Sequence, residues 1–463
     1  MSSDAKINIF CPIETINREL DFRLFLAAHC VRPDLRFIIG KHFTLSDLLR
    51  EMKEGMYVGQ NLRPLRHTPI NSDPERRLKD LRASGITLVV LDEEGGVMAG
   101  NEERWKEWLD FRLDMTNLQP QEHVCTWGNF QRDYYRSLDA PSPSHIVTTG
   151  HPRFDLYKES HRNYYRDEVE HWKNKFGDFV LVNTNFAWAN HYKGDKYLFA
   201  PHSYYDPTDD AKKLDFVREW SHKTRVRANM IALVTRLSIE MPQLKIVIRP
   251  HPSENMQSYK TIFQEMPNVY IEHEGSVGPW LMASRALIHD GCTTALEAHF
   301  SGVPILNYKS LREERYDLML PNSLGLTCET EERVLEAVQA ILSGDKSVGQ
   351  TKQVPPEAKD LIDNFEHDSF ACMTDYLHHV AEGVRPTPLS HDRVLRRHQN
   401  AEKIKPLARS LKFKLRPRQQ TMMDKFYGFE HLDMPAKFKK VQETLNKDVR
   451  FTILSGRVFT VEC

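Results

Sequence analysis

Apolar residues along the chain fall in short continuous runs, and the segments between them carry apolar positions at helical spacing. Lys6–Pro12 predicts a first strand and Leu20–Val31 an amphipathic helix, with Leu20, Leu24, Ala27, Ala28 and Val31 on one face. Phe37–Gly40 reads as a second strand, Leu45–Met52 and Glu75–Ala83 as helices, and Ile86–Leu91 as a wholly apolar third strand. Continuous apolar strands alternating with helices signal a parallel sheet covered on both faces. A helix over Asn101–Leu118, strands at Val124–Gly128 and Ile146–Gly150, and a charged connecting helix over Tyr157–Lys175 complete the first half. After Gly177 the pattern restarts. Strands are expected at Phe179–Val182, Leu244–Ile248 and Val269–Ile271, and helices at Leu214–Glu240 and Val277–Ala283. Leu287–Asp290 then ends a strand, Gly291-Cys292 makes a tight turn, Thr293–Phe300 forms a helix closed by Ser301-Gly302, and Val303–Leu306 begins another strand. A helix over Glu331–Leu342 and helical residues from Pro355 to Val380 follow, the latter expected to pack back on the first domain through Leu361, Phe365 and Phe370.

The fold class is therefore α/β, with two Rossmann-like domains facing a cleft, a C-terminal helical return and a basic tail. The expected boundaries are 1–165 for an acceptor domain, 176–345 for a nucleotide-sugar donor domain and 346–463 for the helices and tail. At 463 residues the chain exceeds what a single core supports. A net charge of -1 argues against a dedicated nucleic-acid partner. Seven cysteines without a CxxC pair suggest neither a zinc site nor a disulfide framework, and a cytoplasmic, reducing setting fits them. Met1–Asn8 carries no apolar signal-peptide core, and no run of about 18 apolar residues is present. From Arg385 to Arg418 eleven Lys or Arg face two acids, Asp392 and Glu402. Such a tail reads either as a patch for the anionic inner face of a plasma membrane or as a solvated face in an oligomer contact.

Chemistry concentrates at the predicted strand ends, where parallel sheets bind ligands. Arg249-Pro250-His251-Pro252 holds one imidazole between two prolines directly after a strand. A histidine so fixed can hydrogen-bond a phosphate or protonate a phosphate leaving group, and Arg249 adds a forked cation. The alternative is a structural turn whose histidine caps a carbonyl. Gly291, Thr293 and Thr294 open a helix, where free N–H groups favour an anion. Thr294 and Glu297 fit equally a plain capping box. In a doubly wound sheet this turn is expected beside His251. Asn183-Thr184-Asn185 ends the strand that begins the second half, and the segment 187–213 reads as a loop or a lid. Asp92-Glu93-Glu94-Gly95-Gly96 ends the third strand: solvated loop acids, or a base that receives an acceptor hydroxyl. Gly150-His151-Pro152-Arg153-Phe154-Asp155 either touches an anionic ligand or anchors a hinge.

In this order and at strand ends, the motifs resemble those of GT-B glycosyltransferases. Glu93-Glu94-Gly95, His251-Pro252 and Thr293-Thr294 are similar to the acidic-acidic-Gly, His-Pro and paired-hydroxyl motifs of bacterial sialyltransferase-type enzymes that use CMP-activated sugars. Over most of residues 1–345 the chain also resembles bacterial surface carbohydrate biosynthesis proteins, relatives of capsule and O-antigen transferases. The departure is threonines where serines are usual. The resemblance implies a metal-independent transferase with Glu93 or Glu94 as base and His251 on the departing phosphate. Asn183, Thr184, Asn185, Arg249, Pro252, Gly291, Thr293, Thr294 and Glu297 would line the donor site. It implies no cofactor beyond a CMP-linked nucleotide-sugar co-substrate carrying an acidic sugar such as Kdo or a nonulosonic acid. The acceptor would be a glycan or lipid-linked glycan of capsule, O-antigen or lipopolysaccharide. Three other readings stay open: a transferase using a UDP-sugar or CDP-alditol, a non-catalytic polysaccharide assembly subunit, and a sugar-nucleotide 2-epimerase.

Overall fold

The computed structural model describes residues 5–59, 73–201, 205–386, 391–400 and 426–463. They form two units, one of residues 1–96, 106–156 and 359–463, the other of residues 97–105 and 157–358. The sequence reading instead breaks the chain at 165, 176 and 345 and sets 346–463 apart.

In the first unit β1 (Ile7–Ile13), β2 (Leu35–Lys41), β3 (Met56–Gly59), β4 (Thr87–Leu91), β5 (His123–Thr126) and β6 (Ile146–Thr148) are parallel, in the order 2-1-3-4-5-6. β1 and β2 are buried along nearly their whole length, as their continuous apolar runs require. Helix Ile16–Cys30 packs on this sheet, and its N-terminus is closed by Glu19, which accepts the amides of Glu14 and Thr15 at 2.9 and 3.3 Å.

The second unit carries β7 (Phe179–Asn183), β8 (Lys245–Arg249), β9 (Val269–Ile271), β10 (Ala286–His289), β11 (Ile305–Tyr308) and β12 (Leu326–Cys328). Their order is β9-β8-β7-β10-β11-β12, all parallel. That is the doubly wound 3-2-1-4-5-6 arrangement, whose strand order reverses between β7 and β10. One face of this sheet, through Val180, Val182, Ile246, Ile248, Ala286, Ile288, Leu306 and Tyr308, packs on the long helix Asp210–Glu240 and on Glu331–Leu342.

Residues 359 onward return to the first unit. Phe370, on helix Ser369–Glu382, lies against Phe25 and His29 with ring centroids 6.1 and 4.9 Å apart. Beyond the expected helices, β13 (Arg450–Ser455) and β14 (Val458–Glu462) form a hairpin, and β14 joins the first sheet antiparallel to β2. Of the basic tail, residues 391–400 are helical and fixed to the first unit, where Arg36 pairs with Asp392 at 2.6 Å and Arg397 with Glu51. Lys403 to Arg418 lie outside the described residues, and so does the reading of that stretch as a membrane patch. Among the described residues no helix is long and apolar enough to cross a membrane.

Candidate functional site

At the end of β4 the three acids separate. Glu93 turns inward and is 1% exposed. Arg23 Nη2 reaches its Oε1 at 3.1 Å, His151 Nε2 lies 3.2 Å from Oε2, and Arg153 donates to its backbone carbonyl at 3.4 Å. Burial pushes this carboxyl up, but His151, Arg23 and Arg18 outweigh burial and hold it well below the usual carboxylate range. Sealed in this way, Glu93 is an ion-pair partner of Arg23 and His151 and is not presented to an incoming hydroxyl. Glu94 turns outward, its side chain 48% exposed, with Arg18 and Arg112 at 3.2 and 3.4 Å. Asp92 is gripped by Arg112, and its carbonyl accepts the Trp127 indole N–H at 2.6 Å. A Cβ on Gly96 would stand 2.6 Å from the Trp127 ring, so this glycine serves packing within the unit.

Gly150–Asp155 proves to be an anchor. Gly150 adopts φ +66°, a conformation glycine supplies without strain. Asn364 donates to the His151 carbonyl at 3.0 Å and to Asp155 at 2.7 Å, and Ser369 N–H donates to Asp155 at 2.5 Å. The motif therefore ties the C-terminal return to the end of β6. Arg153 is buried among Trp127, Phe154 and Glu93 and does not present an anion-binding cation.

In the second unit the loop after β8 is organised by Glu254, which is 2% exposed. Its Oε1 accepts Thr184 Oγ1 at 2.7 Å, Phe186 N–H at 3.1 Å and His251 N–H at 3.0 Å, and its Oε2 accepts Tyr259 OH at 2.6 Å. One buried carboxylate thus locks the end of β7 to the loop after β8. His251 and Pro252 are exposed. His251 Nδ1 accepts Ser253 N–H at 3.2 Å, which leaves the ring proton on Nε2, the nitrogen able to donate outward. The segment after β7 lies along the same loop, with Tyr192 N–H donating to Ser253 O at 3.0 Å and Asn255 N–H to Asn190 O at 2.7 Å.

Arg249 does not fit its expected role. Nη1 and Nη2 donate to the carbonyls of Glu274 and Gly275 at 2.9 and 2.5 Å, and the guanidinium lies over Trp280. Burial pushes it down to about 10. The fork is engaged with backbone and braces the loop after β9.

At the end of β10, Gly291 takes φ +61° and Thr294 begins the helix Thr294–Ser301. The Thr294–Glu297 capping box does not form: Thr294 is already the first helical residue with its Oγ1 unpartnered, and Thr293 at the cap position makes no side-chain cap hydrogen bond. Thr293 and Thr294 are half-buried, and Glu297 is buried in the first turn. β7 stands between β8 and β10, so this turn is one strand further from the His251 loop than expected, about 10 Å across two strand spacings. Asn183 and Thr184 are buried and Asn185 half-buried at the end of β7, beside the strand-order reversal.

No protein-family model matches the chain, and no curated protein matches it. Solved structures similar to it include a UDP-GlcNAc 2-epimerase from Neisseria meningitidis bound to UDP-GlcNAc. That match has 11% identity and a TM-score of 0.47, over 81% of this chain and 100% of that one. The UDP-N-acetylglucosamine 2-epimerase from Rickettsia bellii is similar at 11% identity and TM-score 0.47, over 82% and 96% of the two chains. The wall teichoic acid polymerase TagF is similar at 9% identity and TM-score 0.46, over 83% and 91%.

Sequence reasoning passed over Glu254, although an acid three residues after His251 was visible as a possible acceptor for that loop's amides. It also passed over Lys309, buried at the end of β11, which bridges Asp290 and Asp317 at 2.6 Å each. Among the described residues no group of three or more His, Cys, Asp or Glu side chains is placed to hold a metal.

Proposed function

We propose that this protein is a glycosyltransferase of surface-polysaccharide biosynthesis, moving an acidic sugar from a CMP-activated donor to a glycan or lipid-linked glycan acceptor. The observation that carries the reading is the His251 loop: an exposed imidazole with its proton directed to Nε2, on a backbone fixed by two prolines and the Glu254 carboxylate. Such a group is prepared for a phosphate, and the Gly291–Thr294 turn supplies a second set of backbone donors. In this scheme a carboxylate takes the proton of the acceptor hydroxyl and the freed oxygen bonds to the anomeric carbon; of the acids at the end of β4, Glu94 is the exposed candidate. The bond from that carbon to the CMP phosphate breaks, its electron pair stays on the phosphate oxygen, and His251 Nε2–H stabilises or protonates that oxygen. No step calls on a metal. Asn183, Thr184, Asn185, Pro252, Gly291, Thr293, Thr294 and Glu297 are assigned to the donor site, and Arg249 braces the loop after β9.

The test is transfer from a CMP-linked acidic sugar, with UDP-sugars and a CDP-alditol run in parallel. Release of CMP that requires an acceptor supports the reading. Release of UDP or CMP from the other donors shifts it to the corresponding transferase. Interconversion of a nucleotide sugar without acceptor makes the chain an epimerase.

A further inference from the structure

The last rung of the second sheet is polar on one face. β8, β7, β10 and β11 are in register there, with Arg249 beside Asn183, Asn183 beside His289, and His289 beside Asn307. Neighbouring residues in a parallel sheet share a face, and the residues one position earlier, Ile248, Val182, Ile288 and Leu306, belong to the apolar core. The polar row is therefore on the opposite face, at the carboxyl end, spanning the strand-order reversal between β7 and β10.

Asn183, His289 and Asn307 are 3%, 0% and 1% exposed. Buried polar atoms are almost always hydrogen-bonded. Yet Asn183 Oδ1, His289 Nε2 and Asn307 Oδ1 each find no hydrogen-bond partner within the protein. The orientations of His289 and Asn307 are set from elsewhere. Cys292 N–H donates to His289 Nδ1 at 3.2 Å, which puts the ring proton on Nε2. Burial pushes His289 down to about 4, so the ring is neutral near pH 7. Asn307 Nδ2 donates to the Asn322 carbonyl at 3.3 Å, which turns its Oδ1 away from that contact. The row thus offers two carbonyl acceptors and one neutral N–H donor over about 10 Å. Two carbonyl oxygens repel a phosphate, whereas a pair of hydroxyls, each donating and accepting at once, can satisfy the two acceptors and the donor together.

We infer that Asn183, His289 and Asn307 form a polar row that reads hydroxyl groups of the nucleotide-sugar donor. The inference rests on the second unit being the donor unit and adds the chemistry that unit recognises there. The hydroxyls have two sources, the ribose and the transferred sugar.

The test is calorimetric titration of the full chain with CMP, 2′-deoxy-CMP, 3′-deoxy-CMP and a CMP-linked acidic sugar, on wild type and two variants. His289→Asn keeps an acceptor for the Cys292 amide and removes the Nε2 donor; Asn183→Leu replaces an orphaned amide by an apolar group of similar size. The expected result is a loss of about ten-fold or more in affinity for each variant, with melting temperature kept in at least Asn183→Leu. If the ribose is read, the deoxy nucleotides bind wild type about ten-fold weaker than CMP and that difference disappears in His289→Asn. If the sugar is read, CMP binds all three proteins alike and only the CMP-sugar loses affinity. Unchanged affinities for all four ligands in both variants would overturn the inference and make the polar row a buried-water site. Failure of wild type to bind any of the four, while UDP or CDP compounds also fail, would instead overturn the donor reading itself.

Discussion

The carboxyl ends of the two sheets look alike in sequence and differ in their chemistry. Each has charged or polar residues after a buried apolar strand. At the end of β4, Glu93 is compensated by Arg23 and His151 inside the same unit, and the conspicuous acid is a structural ion pair. At the ends of β7, β8 and β10 the charges are also engaged, with Arg249 on carbonyls and Glu254 on four donors. Beside them stand an exposed imidazole and a row of buried side-chain atoms, Asn183 Oδ1, His289 Nε2 and Asn307 Oδ1, without a hydrogen-bond partner. A compensated ion pair inside the fold marks the first of these ends, and an exposed imidazole the second.

Breaking the first of these regions should cost stability. Glu93→Gln leaves Arg23 uncompensated in the core, and a loss of about 3–5 kcal/mol is expected from denaturant unfolding. A loss below about 0.5 kcal/mol would mean that the ion pair contributes little. Breaking the second should cost chemistry. His251→Ala is expected to lower turnover by about 10²–10³-fold with the melting temperature unchanged, because the side chain is exposed. Retained turnover would remove His251 from the mechanism. Arg249→Lys tests the brace directly. A lysine cannot serve two diverging carbonyls as a planar fork does, so unfolding should become easier by roughly 1–3 kcal/mol. An unchanged unfolding energy with weakened nucleotide binding would restore Arg249 to the phosphate.

The pH dependence sharpens the same contrast. Glu93 is held below its ordinary value of 4.5, so its contribution is fully present above that pH and is lost as acid carries the solution toward the folded-state value. Stability of wild type should therefore fall on acidification below about pH 4.5, and Glu93→Gln should show a shallower slope. Glu94→Gln, on an exposed side chain, should change stability by less than about 0.5 kcal/mol while lowering transfer.

Much of the fold was legible from the alternation of apolar runs with helical spacing. The restart after Gly177 and the strand–turn–helix at 287–300 both appear close to their expected positions. Met56–Gly59 was missed because its apolar run is only three residues long between glycines. The hairpin of β13 and β14 carried a signal that went unused: alternating apolar positions on either side of Ser455-Gly456. Strand order was not legible, since nothing local tells β10 to pair with β7 and not with β8. The roles of Glu93, Arg249 and Glu254 were hidden for a related reason: their partners lie far away in sequence, and a motif read by itself shows only what a side chain has to offer.

Amide hydrogen exchange of the full chain with and without CMP tests the central claim most directly. Protection is predicted at 183–186, 249–254 and 289–296, growing with CMP concentration as mass action requires. Unchanged exchange in all three segments at saturating CMP, UDP and CDP would contradict the assignment of the second unit to a nucleotide-sugar donor.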